Sequence, residues 1–353
     1  MFENRYSFSQ KLLHRIAFST QRLQVILAEM EDDVYRKQLA TIAIEQPVFI
    51  AGLPRAGTTT LLDICVKAGG FSSHTYRHMP FLHTPLFWHT FSARFASNME
   101  IQERAHGDGI MIGLDSPEAL EEMLWKAFWP QQYQADHIDL WPNSSGEEFK
   151  VYFRQHLRKI IYLGGENGSR YVSKNNLNIA RLPLLRKLFA DAHLLVPFRE
   201  PLQHANSLLR QHLNFSKMHD EDDFSRRYME AIGHFDFGAN LRPIAFSPTP
   251  NAYMPNTLDF WLQYWLDCYQ HLLEQQPALN LLLLSYEQFS QNPTQALEQI
   301  AAKINAAHPD AFPAQADTIK PATHHNFAAD SYNNELYHRC QRLYQQLEQR
   351  SIA

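Results

Sequence analysis

Residues 48–62 read VFIAGLPRAGTTTLL, a short apolar run that breaks at Gly52-Leu53-Pro54-Arg55-Ala56-Gly57 and resumes as a helix-like stretch from Thr58. An apolar strand feeding a glycine turn that feeds a helix is an arrangement that holds phosphate on backbone amides and a helix N-terminus. Gly52 and Gly57 have the spacing of the pattern G-x-x-x-x-G-K-[ST], and Thr59 takes its hydroxyl position. The lysine position holds Thr58 instead, and the loop's strong cation, Arg55, comes three residues early. Without that lysine the loop lacks the group that neutralises the β- and γ-phosphates of a nucleoside triphosphate. It suits a donor with less charge, held by amides, the helix dipole and one offset cation.

Working outward, the strand at about 48–51 and the helix at about 58–68 begin a series in which strands and helices alternate. YVSK (171–174), HLLVPF (193–198) and LLLLSYE (281–287) read as further strands. Helical patterns cover 148–163, 178–192, 202–213, 257–273, 293–305 and the terminal DSYNNELYHRCQRLYQQLEQ. Strands that are continuously apolar and separated by helices predict a parallel sheet covered on both faces, hence an α/β fold with one P-loop-like domain. On this reading residues 1–46 are an N-terminal helical extension, 47–325 the core, and 326–353 a C-terminal helix. The core carries insertions at about 70–115, rich in His, Phe and Pro, and at 214–256, a lid or insertion of weak periodicity. Leu12, Leu13, Ile16, Leu23, Ile26, Leu27, Met30 and Val34 recur near helical spacing over 8–44, which predicts amphipathic helices. Ser116-Pro117-Glu118 reads as a helix start, with a hydroxyl cap, a first-turn proline and an acid against the dipole.

Composition bounds the function. The 353 residues are 45% hydrophobic and 20% charged, values of an ordinary globular protein. A net charge of −5 offers no global attraction to nucleic acid or anionic membrane, so any anion site must be local. Cys65, Cys268 and Cys340 are three, far apart, which argues against a disulfide framework and fits a reducing cytoplasm. The N-terminal stretch carries Arg15, Gln21 and Arg22 where a signal peptide needs an apolar run, and no stretch approaches a membrane span. The 18 histidines include no H-E-x-x-H or His/Cys pairing at ligand spacing, so no metal is expected.

Pro54-Arg55-Ala56-Gly57-Thr58-Thr59 resembles the first motif of sulfotransferases, P-[RK]-[SA]-G-[ST]-[ST], whose donor is 3′-phosphoadenosine 5′-phosphosulfate. A second motif is similar as well. FREPLQHANS puts Arg199 at a strand end and Ser207 eight residues on, in the place of the family's 3′-phosphate site, with Glu200 for the usual aspartate. The late strand with its Tyr286-Glu287 corner and Asn292-Pro293 helix resembles the family's nucleotide neighbourhood. Asp317-Thr318-Ile319-Lys320-Pro321 resembles a segment that reaches back over the donor in tyrosylprotein-type members. The likeness spans roughly 47–325 and points to bacterial, carbohydrate- and tyrosylprotein-type relatives.

That resemblance implies a cytoplasmic transferase that moves a sulfuryl group to a hydroxyl, or an amine, by in-line displacement. Arg55 and the amides of Ala56, Gly57, Thr58, Thr59 and Thr60 would hold the 5′-phosphate, and Arg199 with Ser207 the 3′-phosphate. Tyr286 would approach the nucleotide and Lys320 contact phosphate, with 3′,5′-adenosine bisphosphate as the product. Lys174 closes a strand, where open α/β sheets place ligands, and would meet the sulfuryl group, although Asn175-Asn176 replaces the family's usual ending.

The acceptor's proton needs a base, and the candidates are His74, His78, His83, His89, His106, Asp108, Glu118, Glu121 and Glu122. HTYRHMP (74–80) stands where tyrosylprotein-type members carry their base, which favours His78 ahead of His74. The acceptor is expected to be a small molecule, carbohydrate, lipid or peptide, and the N-terminal helices are candidates for homo-oligomer formation. Two other readings stand beside this one: a P-loop-type phosphotransferase, and a non-catalytic nucleotide-binding or scaffold protein.

Overall fold

The computed structural model describes residues 21–92, 102–103, 111–144, 146–247, 251–328 and 330–352. The N-terminal part of the predicted helical region (8–20), together with His106 and Asp108, lies outside them.

Five strands form one parallel sheet: β1 (Val48–Ile50), β2 (Phe71–Ser72), β3 (Arg170–Lys174), β4 (His193–Phe198) and β5 (Leu282–Ser285). The order is β2-β3-β1-β4-β5. The expected α/β class with a parallel sheet is what the chain adopts. Central β1 is apolar throughout because it is buried on both faces. Val48 and Ile50 pack with Leu61, Leu62, Ile64 and Cys65 of helix α2 (Thr58–Ala68), while Phe49 joins the larger core on the other face. Helices α4 (Glu147–Gly164) and α6 (Leu258–Leu279) contribute Phe153, Trp265 and Tyr269 to that core. Beta-branched and leucine-rich runs of this kind are the signature of a sheet covered on both sides.

The register sets the site. Ile50 is level with Lys174 of β3 and with Leu195 of β4. β2 and β3 lie on one side of β1, β4 and β5 on the other, so the carboxyl ends of β1 and β4 flank the point where strand order reverses. Open α/β sheets bind ligands in that crevice.

Several boundaries differ from the sequence reading. Ser116-Pro117-Glu118 does not start a helix; the following helix α3 runs over Glu122–Phe128. The 113–118 backbone pairs instead with 74–78: the Arg77 amide donates to the Leu114 carbonyl at 2.8 Å, and the Glu118 amide to His74 at 2.9 Å. That pairing, with a Thr75–Pro117 bridge, takes the backbone that capping cues assign to a first turn. The 178–192 helix splits into a 3₁₀ turn over Asn176–Arg181 and a helix over Leu182–Leu188. Helix α5 (Pro201–Glu221) runs eight residues past its predicted end at 213 into the supposed insertion, which also contains a helix over Asp223–Ala231.

Helix α1 (Gln21–Val34) presents an unexpected face to the core. Gln24, Ala28 and Glu31 are buried, whereas Leu23, Ile26, Met30 and Val34 are 52–64% exposed. The cause is Lys159 of α4, whose buried ammonium lies 3.0 Å from Glu31 and 2.8 Å from Asp32 and donates to the Ala28 carbonyl. A buried ammonium needs that pairing, and it decides which side of α1 turns inward. Among the described residues no helix is long and apolar enough to cross a membrane.

Candidate active site

The loop between β1 and α2 is pressed against β4. A Cβ at Gly52 would stand 2.9 Å from the Pro197 carbonyl oxygen. Arg55 adopts φ +70° and Gly57, the N-cap of α2, φ +91°. The first helical bond runs from the Leu61 amide to the Gly57 carbonyl, so the amides of Thr58, Thr59 and Thr60 point out of the helix end, where the dipole favours an anion. Ala56 and Thr58 are buried beneath. His204, inside α5, fixes the loop from below: its Nε2–H donates to the Pro54 carbonyl at 2.8 Å. Burial, with Arg199 nearby, pushes its pKa down to about 3, so the ring is a neutral donor.

Arg199 leaves β4 beside this loop. Its guanidinium donates to the Arg55 carbonyl at 3.2 Å, lies 5.0 Å from the Tyr286 ring centroid, and has Glu287 at 3.9 Å. Glu200, one residue on, caps α5 by accepting from the Gln203 amide at 2.8 Å and accepts from the Tyr337 hydroxyl at 2.8 Å. Glu200 therefore has a structural job at the start of α5. Ser207, two helical turns along, receives the Arg55 Nε–H at 3.4 Å. The Tyr286 ring covers Gly57, where a Cβ would come within 2.8 Å of it, and the Tyr286 hydroxyl donates to the Lys320 carbonyl at 2.9 Å. Arg55, Gly57, Arg199, Ser207, Tyr286 and Lys320 are thus joined by contacts, although what reaches Tyr286 from Lys320 is the backbone, and its side chain is exposed.

Lys174 stands across β1 from this group, at the end of β3. The residues after it are anchors. Asn175 donates to Glu122 at 2.7 Å and caps the next turn by accepting from the Leu177 amide at 3.0 Å; Asn176 donates to Asp236 at 3.1 Å. Glu122 is itself paired with fully buried Arg181, whose guanidinium lies between the rings of Trp125 and Trp141 at 4.2 and 4.7 Å. Glu122 is a structural anion in this setting. Glu121 is also buried and accepts from Trp125 Nε1 at 2.9 Å and the Tyr171 hydroxyl at 2.8 Å.

The 74–89 histidines divide. His78 is buried, and its Nδ1 accepts the Thr75 amide hydrogen at 3.0 Å. In the neutral ring that leaves Nε2 carrying the proton, so His78 can donate but cannot take a proton without changing tautomer; burial pushes its pKa down to about 4. His74 Nε2 faces His156 Nε2 at 2.8 Å in the interior, His83 Nδ1 meets the Tyr152 hydroxyl at 2.6 Å, and His89 is exposed. Glu118 accepts from the Tyr76 hydroxyl and from the Ala119 amide at 2.7 Å.

Sequence reasoning missed His204, His234 and Asp236. His204 lies on α5, between the strand-end Arg199 and Ser207 in sequence, a signal that local spacing could have supplied. His234 and Asp236 lie in a stretch of weak periodicity, between two glycines of positive φ, Gly233 (+82°) and Gly238 (+68°).

A family model described as "Sulfotransferase family" matches residues 47–241, more than half of the chain. Among solved structures, sulfotransferase STF9 from Mycobacterium avium aligns with TM-score 0.53 and 13% identity over 94% of this chain and 82% of that one. Sulfotransferase STF1 from Mycobacterium tuberculosis H37Rv (type1 form) aligns with TM-score 0.49 and 12% identity over 90% and 81%. At such identity the first of these likenesses bears on the fold alone. No curated protein matches the chain.

Proposed function

From the premise that this chain belongs to the sulfotransferase family, we propose that it transfers a sulfuryl group from 3′-phosphoadenosine 5′-phosphosulfate to an acceptor hydroxyl or amine by in-line displacement. The observation that carries the donor assignment is the joining of two anion-binding elements. Arg199 holds the backbone of Arg55, and Arg55 reaches Ser207, so the phosphate loop and the strand-end arginine form one unit under Tyr286. A nucleotide with phosphates at both the 5′ and 3′ positions matches that pair of elements; ATP has nothing for the second. Arg55 and the amides of residues 56–60 take the 5′-phosphate, and Arg199 forks onto the 3′-phosphate with Ser207 donating beside it. Lys174 meets charge that develops on the bridging oxygen as it departs. Lys320 lies at the rim, where its flexible side chain can reach phosphate. Positioning and charge stabilisation supply most of the acceleration in such a transfer.

The acceptor is a small-molecule, carbohydrate, lipid or peptide hydroxyl, and the chain works as a single catalytic domain in a reducing compartment. All three cysteines are free and buried, as suits a cytoplasmic protein. A thermal-shift series tests the donor reading. The 3′,5′-bisphosphate should stabilise the fold clearly more than AMP or ATP with magnesium, by ~2.7 kcal/mol at about 100 times its dissociation constant. A series won by ATP with magnesium would return the loop to phosphotransferases. Binding with no turnover on a panel of phenols and alcohols would favour a non-catalytic role.

A further inference from the structure

We propose that His234 takes the proton of the acceptor during sulfuryl transfer, with Asp236 opposite it steadying the imidazolium; this rests on the sulfotransferase reading above. The placement of the ring is the first ground. Gly233 lets the backbone lie against α3, since a Cβ there would come within 2.5 Å of Glu122 Cγ. The next residue but one, Phe235, is buried between Lys126 (5.0 Å) and Arg242 (4.5 Å). Between these anchors the His234 ring stacks on Phe215 of α5, centroids 5.0 Å apart and planes within 9°. The segment called an insertion is therefore fastened to the wall of the crevice.

The second ground is what the ring faces. Asp236 Oδ2 lies 3.9 Å from His234 Nε2, and the same oxygen accepts from Asn176, two residues beyond Lys174. Four ionisable groups act on the ring: Asp236 from its own segment, Glu118 from the 113–121 segment, Lys174 from β3 and His219 from α5. The two carboxylates raise its affinity for a proton. Burial, the largest influence, and Lys174 lower it, so the ring is neutral near pH 7 and able to accept. About 16% of the side chain remains exposed, whereas His78 is nearly closed off with Nδ1 engaged, and His74 is locked to His156. His234 thus combines a carboxylate partner, a link through Asp236 to Asn176 just beyond the end of β3, and access.

The step balances without a further reactant. The acceptor oxygen forms a bond to sulfur as the bond from sulfur to the 5′-phosphate oxygen breaks. The electron pair of the broken bond leaves on that phosphate oxygen, beside Lys174 and Arg55. The acceptor's proton passes to His234, and the imidazolium returns it to solvent after the sulfated product departs. Positive charge appears on the ring only in the transition state and product, where Asp236 and Glu118 favour it.

The test uses the full chain, the phosphosulfate donor, and two acceptors, water and 2-naphthol. His234→Gln keeps the stacked volume, and should lose about 10²–10⁴ in turnover while binding the bisphosphate within a few-fold of normal. Asp236→Asn should lower turnover, by less than His234→Gln does, and move the acid limb of the kcat profile to lower pH, a shift that a merely structural carboxylate would not cause. Free imidazole should restore part of the activity of His234→Ala. Turnover of His234→Gln within about threefold of normal, or loss in His78→Ala while His234→Gln stays active, would overturn the assignment. Bisphosphate binding without turnover of the donor in the unaltered protein would also overturn it, leaving the donor site standing. Absence of bisphosphate binding would sink the sulfotransferase reading instead.

Discussion

Replacing Arg199 separates ligand recognition from fold support, because its contacts predict a different size for each. In the free protein Arg199→Ala removes a 3.2 Å hydrogen bond to the Arg55 carbonyl and the contact over the Tyr286 ring, and leaves Glu287 without its cation at 3.9 Å. A hydrogen bond to a charged group contributes about 1.5–3 kcal/mol and a partly desolvated cation–π contact about 0.5–2 kcal/mol. Burial already holds the Glu287 pKa above the usual carboxylate range, so that group can protonate when its partner goes. The net loss of stability should be about 2–3 kcal/mol, read as a lower urea midpoint at unchanged slope.

Affinity obeys different arithmetic. AMP and the 3′,5′-bisphosphate share the 5′-phosphate, so any damage to the loop weakens both equally. Only the bisphosphate carries the group assigned to Arg199, and losing about 1.5–3 kcal/mol there lowers its preference over AMP by about 10- to 150-fold. Isothermal titration with both ligands at a temperature where the variant is folded gives the ratio directly. Arg199→Lys should keep part of the preference, since the charge stays and the fork is lost. Equal weakening of AMP and bisphosphate in Arg199→Ala would make the residue a prop for the loop and refute the assignment.

Four further outcomes follow from the same contacts. Gly57→Ala places a Cβ 2.8 Å from the Tyr286 ring at φ +91°, so the backbone alone should cost about 1–2 kcal/mol; calorimetry on the Gly57→Ala/Tyr286→Ala pair should recover the steric part, and no recovery would exclude the clash. Lys174→Ala should lower turnover ~10²–10³-fold with donor affinity nearly kept, and near-normal turnover in a single-turnover assay would remove Lys174 from the reaction. Arg181→Met leaves Glu122 buried without its cation and should lower stability by about 3–5 kcal/mol in urea; a change under 1 kcal/mol would mean that Asn175 and the Tyr133 hydroxyl, which also donate to Glu122, suffice. His78, His83 and His204 have pKa values pushed by burial to about 4, 4 and 3. Their unfolded value is ~6.5, so their contribution is whole above that pH and declines as pH falls toward 4, by up to ~1.4 kcal/mol per pH unit for each ring; a urea midpoint flat from pH 6.5 to 4.5 would contradict it.

The grouping of the 52–60 loop with Arg199 and Ser207 is legible in the sequence because each piece is local. Gly52, Arg55, Gly57 and the threonines belong to one strand–turn–helix unit, and Arg199 and Ser207 to one strand end and the helix after it, so spacing along the chain already encodes their arrangement. The 74–122 and 214–247 segments are assembled differently. Ser116-Pro117-Glu118 has the chemistry of a helix start, yet its backbone pairs with residues 74–78, some forty positions away, and a long-range ladder prevails over a local cue. The buried face of α1 answers to Lys159 and not to its own apolar stripe, because an unpaired buried ammonium costs more than several exposed leucine-sized groups. Asp236 reaches Asn176 across sixty positions, which no periodicity announces. The two segments meet at the Lys174-Asn175-Asn176 corner, where the end of β3 is gripped by Glu122 and Asp236. Changes in the 214–256 segment can therefore reshape that corner while the 52–60 loop, held by His204, Arg199 and Tyr286 on the far side of β1, keeps its geometry.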